Sequence, residues 1–214
     1  MGTTQPIRNK ETIEVIKKYF KENNVRNYLL FVLGINTALR ISDILKLKWK
    51  DIYDFKNDEI KSHIALVEQK TGKETLVAIN QSVKAALETF RNTNKVRPDE
   101  FIFRSRKGEN KPIGRTRAYT IFADAAKSLN IEKFSCHSLR KTFGYHAWKK
   151  NQNPVLLMEV YNHSSFAIQG NILEFYRKTK ILFFYPYYCK KNKKTYNIGI
   201  KLNNLHKLLH WDKS

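Results

Sequence analysis

Cys136-His137-Ser138-Leu139-Arg140-Lys141-Thr142-Phe143-Gly144 is the stretch from which the rest of the chain can be read. His137 and Arg140 stand three apart, so on a helix they share one face and can grip one anion together. The helical pattern runs from His137 through Lys150, and Pro154 is placed to open a further short helix. Upstream, Ala38-Leu39-Arg40-Ile41-Ser42-Asp43 holds another arginine at a junction. Tyr28 to Ile35 reads as a buried apolar helix before it, and Ser42-Asp43 reads as the N-cap of a helix ending near Lys48.

Apolar residues recur at helical spacing at Ile13, Ile16, Tyr19 and Phe20, and Asn23-Asn24 break that run. Residues 60–67 and 75–79 are rich in Ile, Val, Leu and Thr, with Lys70-Thr71-Gly72-Lys73 between them, which predicts a β-hairpin. Helical pattern resumes from Ser82 to Phe90 and from Arg115 to Leu129. The expected fold class is mixed α/β, mainly helical with a small antiparallel sheet.

Lys plus Arg outnumber Asp plus Glu by 40 to 19, a net charge of +21. A field of that sign recruits a polyanion, and nucleic acid is the first partner it suggests; a solvated basic surface is the alternative. Cys136 and Cys189 lie far apart, which argues against a disulfide framework or a cysteine zinc site, and Cys136 reads as packing. No apolar run reaches the length of a membrane span and the first ten residues lack a secretory hydrophobic stretch, so a cytoplasmic protein without membrane partners is expected.

Arg40, Lys70 in the hairpin turn, His137 with Arg140, and His163 in Asn162-His163-Ser164-Ser165 follow one another in an order that resembles the tyrosine recombinase (phage integrase) family. The resemblance is to the short, catalytic-domain-only integrases of mobile elements. It implies site-specific recombination of double-stranded DNA by strand cleavage and rejoining through a phosphotyrosyl intermediate, with self-association on DNA and with neither cofactor nor metal. A phosphodiester under attack gains charge on its non-bridging oxygens, which two guanidiniums stabilise bidentately. Those are Arg40 and Arg140. Lys70 is the expected general acid for the leaving 5′ oxygen, and His137 and His163 handle the nucleophile's proton and the phosphate. Plainer roles stay open: Arg40 could meet helix C-terminal carbonyls, His137 and Arg140 could grip a phosphate without chemistry, Lys70 could be solvated beside Lys73, and His163 could be a core histidine.

The family's nucleophile follows the last histidine by about nine residues, and here that position is Ile172. Tyr176 is the fallback nucleophile, four residues on and about 6 Å along a helix axis. Composition also changes there: after Gln169, ten Lys or Arg face two acids, and nine aromatics crowd in without a period. Permitted codons for 169–180, read two bases along, can give R-K-Y-I-G-I-L-Q-K-D-K, with tyrosine nine residues past His163. The expected domains are therefore 1–169, a recombinase catalytic domain, and 170–214, an atypical basic, aromatic tail, either a frameshift product or a genuine tail. The rival expectation is a non-catalytic DNA-binding protein derived from a recombinase. The acids do not assemble a three-carboxylate metal site.

Overall fold

The computed structural model describes residues 4–70, 72–151 and 161. Seven helices and four short strands lie among them: α1 Lys10–Asn23, α2 Val25–Asn36, α3 Ile41–Leu45, α4 Trp49–Ile52, β1 Tyr53–Asp54, β2 Glu59–Ile60, β3 His63–Val67, β4 Glu74–Ala78, α5 Gln81–Thr93, α6 Arg115–Ser128 and α7 Cys136–Asn151. The mainly helical reading with a small antiparallel sheet holds.

Local chemistry sets the boundaries. Asn9, Asn24 and Asn80 each accept a backbone N–H through the side chain and so cap α1, α2 and α5. Asn24 also ends α1, its own N–H donating to Phe20 O, so one residue separates two helices. Phe20, Phe31, Phe122 and Phe134 meet edge-on or tilted at centroid separations from 5.7 to 6.2 Å, binding α1, α2, α6 and the lead-in to α7 around one core. α2 is buried from Leu29 to Asn36, as its apolar composition requires.

Two details differ from the sequence reading. Arg40, not Ser42 or Asp43, is the N-cap of the five-residue α3, without a side-chain cap bond, and α4 is a separate turn beyond it. The Asp43 carboxylate is drawn instead to the Gln69 N–H at 3.1 Å. The hairpin is β3–β4, with Val67 opposite Glu74 and His63 opposite Ala78, while Glu59 and Ile60 pair with β1. The short helix expected at Pro154 and the tail from 170 lie outside the described residues.

α2 and α7 approach closely because Gly34 faces Leu139: a Cβ at position 34 would sit 2.5 Å from Leu139 Cδ1. The chain's first described residues run along α7. Lys141 Nζ donates to Thr4 O (2.7 Å), the Ile7 N–H donates to Thr142 Oγ1 (2.8 Å), and His146 Nε2 donates to Ile7 O (3.1 Å). Among the described residues no helix is long and apolar enough to cross a membrane.

Candidate active site

α2 delivers Arg40. Thr37 Oγ1 donates back to Leu33 O, and Asn36, itself buried, accepts from Asn80 Nδ2 at 2.7 Å, fixing the end of the helix to the cap of α5. The chain then turns through Ala38, whose φ of 51° lies in the left-handed region. That conformation costs an L-residue about 1 kcal/mol, and the Ala38 methyl stays there packed in a small cluster with Phe143 and Tyr161. Arg40 follows, with its Nη1 donating to Glu68 Oε2 at 2.5 Å. The Glu68 side chain is 2% exposed and that of Arg40 22%.

Glu68 begins the hairpin turn. Its N–H donates to Lys73 O and its carbonyl accepts from the Gly72 N–H (2.9 and 2.8 Å), so the turn is closed by backbone bonds at its base. Gln69 fastens the same base to α3, through its N–H on Asp43 and its Nε2 on Ser42 O (3.2 Å). Lys70 projects from this anchored turn into solvent.

α7 supplies the remaining groups. Its start is organised by Ser135 and Ser138: the Ser138 N–H donates to Ser135 O, the Ser135 N–H donates to Ser138 Oγ, and the His137 N–H donates to Ser135 Oγ. His137 is exposed there. One turn on, Arg140 is half-buried, and its Nη2 donates to Tyr161 O at 3.1 Å. Burial lowers the Arg140 pKa first; Tyr161 opposes that, Arg40 adds to it, and Glu68 and Asp43 oppose it. Arg40, Arg140, Glu68 and Asp43 therefore share one electrostatic neighbourhood, two cations against two anions.

Of the expected site residues, Arg40, Lys70, His137 and Arg140 are described, and the structure gathers Arg40 and the base of the Lys70 turn directly. His163 and the fallback Tyr176 lie outside the described residues, as does Ile172. Tyr161 is described and is no nucleophile: it is fully buried, its hydroxyl donates to Arg140 O, and burial raises its pKa well above the usual phenol value. Cys136 is packing, its thiol pushed up to about 12 by burial. Among the described residues no cluster of His, Cys, Asp and Glu could hold a metal ion. A cleft of about 470 Å³ between Arg26, Trp49, Phe90 and Phe101 opens at the N-terminal end of α2. It lies a helix length, about 18 Å, from the end that leads to Arg40.

Sequence reasoning passed over Glu68 and Tyr161. Glu68 had a signal: an acid directly after the apolar run Ile64-Ala65-Leu66-Val67 in a chain poor in acids. Tyr161 had none, being a lone aromatic in a segment of mixed composition.

The sequence model described as Phage integrase family matches residues 8–172. A probable integrase/recombinase of Bacillus subtilis, YoeC, is 40% identical over 168 residues, covering 78% of this chain and 88% of its own length. The tyrosine recombinase XerH of Campylobacter jejuni is 28% identical over 148 residues, 68% of this chain and 40% of the relative. Among solved structures, the Tn1549 transposon integrase in complex with circular intermediate DNA superposes with a TM-score of 0.61 at 22% identity, over 80% of this chain and 61% of that one. At that identity the likeness establishes the fold.

Proposed function

The chain belongs to the phage integrase family, and from that premise we propose that it is a tyrosine recombinase catalytic domain that cuts and rejoins double-stranded DNA at specific sites. The observation that carries the residue assignment is that Arg40 is bonded to Glu68 at the base of the Lys70 turn, which Gln69 fastens to α3, the helix that follows Arg40. The electrostatic influence of Arg40 and Glu68 on Arg140 supports adding α7 to the same site.

In this reading the two guanidiniums hold the non-bridging oxygens as negative charge grows on them. A tyrosine hydroxyl attacks phosphorus, its proton passing to a histidine, while the bond to the 5′ oxygen breaks and Lys70 protonates that oxygen. The phosphotyrosyl bond conserves the free energy of the broken linkage, so rejoining is the same path reversed. His137 at the start of α7 and His163 are the histidines assigned to this work. Residues 1–169 are the catalytic domain, acting in the cytoplasm and self-associating on DNA.

The nucleophile is the departure. Ile172 stands where the family's tyrosine is expected, and the family match ends at that residue. Both support a change of reading frame near Gln169, with 170–214 translated out of frame and cleavage impaired. Ile172 also favours the second reading, a DNA-binding protein that no longer cuts.

A labelled pool of nicked duplexes tests both. Duplex binding should fall by roughly a thousandfold or more between about 50 and about 200 mM salt, as expected for a protein touching about six or more phosphates. A binding constant indifferent to salt overturns the DNA reading. An adduct that survives denaturant identifies the enzyme, and its absence beside salt-sensitive binding identifies the binder.

A further inference from the structure

Glu68 is a buried acid for which the reaction above has no use. A carboxylate taken out of water is costly, and a well-packed apolar residue in its place would serve stability as well or better. Its retention at 2% exposure directly against Arg40 calls for another account.

We propose that Glu68 is a positioning residue for the phosphate grip: its carboxylate holds Arg40 Nη1, turning the rest of the guanidinium toward the phosphate, while its backbone closes the turn that carries Lys70. The inference rests on Arg40 being a phosphate ligand. A guanidinium has five N–H donors in a fixed plane. Holding Nη1 restricts the rotation of that plane and leaves the Nε and Nη2 donors for a second anion. Arginine on its own loses rotamer freedom whenever it is fixed, and a site that fixes it in advance does not incur that loss at the moment of reaction.

The backbone of the same residue extends the argument to Lys70. Glu68 donates to Lys73 O and accepts from Gly72 N–H, and its neighbour Gln69 is tied to Asp43 and Ser42 on α3. The cation that meets the non-bridging oxygens and the lysine assigned to the leaving oxygen are thus referenced to one residue. Their separation is set before DNA arrives.

The test uses the full chain, labelled with nitrogen-15, and a duplex of arbitrary sequence at low salt. In the wild type, the Arg40 guanidinium signals and the Lys70 ammonium signal should both shift on adding duplex. In Glu68→Gln the backbone bonds to Lys73 and Gly72 remain, so exchange of the Gly72 amide should stay within about twofold of the wild type. The duplex-induced shift of Arg40 should fall to half or less while that of Lys70 is kept. A purely structural role, felt as a general loosening, would diminish both responses and quicken the Gly72 amide as well. Should Glu68→Gln fail to fold, Glu68→Asp carries the test, since a carboxylate one methylene shorter must draw Arg40 aside and diminish its response. A folded variant whose Arg40 responds to duplex as the wild type does, or one in which Arg40 and Lys70 fail together, overturns the inference alone. A wild-type Arg40 that ignores duplex overturns the phosphate reading beneath it.

Discussion

Arg140 and Tyr161 hold each other by both ends: the Tyr161 hydroxyl donates to the Arg140 carbonyl at 2.6 Å, Arg140 Nη2 donates to the Tyr161 carbonyl at 3.1 Å, and the guanidinium carbon lies 4.6 Å from the phenol ring centroid. The Arg140 guanidinium is therefore braced against Tyr161 by two hydrogen bonds and a ring contact. Tyr161→Phe keeps the ring and loses one buried hydrogen bond, so it should cost about 1 kcal/mol. In a thermal melt that is a fall of about 2–4 °C for a chain of this size. Tyr161→Ala removes the ring as well and should cost about 3–5 kcal/mol. Equal melts for the two variants would show that the ring contributes nothing.

Arg40 answers a buried charge. Arg40→Ala takes the guanidinium away from the buried Glu68 carboxylate and should lower stability by about 3–5 kcal/mol in denaturant unfolding. The double substitution Arg40→Met with Glu68→Leu removes both charges and should recover most of that loss. A double variant no more stable than Arg40→Ala would show that the pair is not what Arg40→Ala disrupts.

At Gly34 the distance between two helices can be read from stability. Gly34→Ala puts a methyl into Leu139, and overpacking of this kind costs about 1–3 kcal/mol. Leu139→Ala is destabilising alone, yet added to Gly34→Ala it should cost less than it does in the wild-type background, because it makes room for the new methyl. Strict additivity of the two unfolding free energies would remove the steric explanation.

His146 makes stability depend on pH in a predictable direction. Burial first, then Lys10 and Lys149, hold its pKa below the ordinary 6.5, while the bond to Ile7 O opposes them. With the folded value depressed, the unfolded chain takes up the proton first as pH falls. The contribution is therefore complete above about pH 6.5 and declines as pH drops from there toward the folded value. Unfolding measured between about pH 7.5 and about pH 5 should show that decline, and His146→Gln should flatten it. An equal slope in both proteins would assign the effect to another group.

Nucleophile placement separates the two functional readings. A hydroxyl must lie in line behind phosphorus at about 3 Å, and a side chain one helical turn away does not reach that point. The chain as it stands should bind duplex without forming an adduct, and restoring the alternative frame after Gln169 should produce one on a nicked substrate. An adduct formed by the unmodified chain and abolished by Tyr176→Phe would make Tyr176 the nucleophile and defeat the frameshift account.

The helices α1 and α5 were legible because each buries one periodic face, and α2 because its apolar run is long enough to be a helix buried on all sides, with Asn24 and Asn80 marking boundaries. Arg40 and Arg140 could be picked out from local spacing and order. Which residues support them was not legible: the place of Glu68 after an apolar run marks it as unusual but not its partner, because Glu68 reaches Arg40 across 28 positions and Tyr161 reaches Arg140 across 21. Asp43 shows how tertiary structure overrides local preference. Its place near a helix start reads as a cap, yet the Gln69 N–H, remote in sequence, captures the carboxylate.

The anchorage of residues 4–7 on α7 makes the beginning of the chain a mechanical load path. Lys141, Thr142 and His146 hold that segment on the helix that carries His137 and Arg140. Force applied ahead of Thr4, whether by a fused domain, a surface tether or an affinity handle, is transmitted through these hydrogen bonds to α7. In a single-molecule pulling geometry attached at that end, the first extension step should be the peeling of this segment, at a force below that which opens the aromatic core.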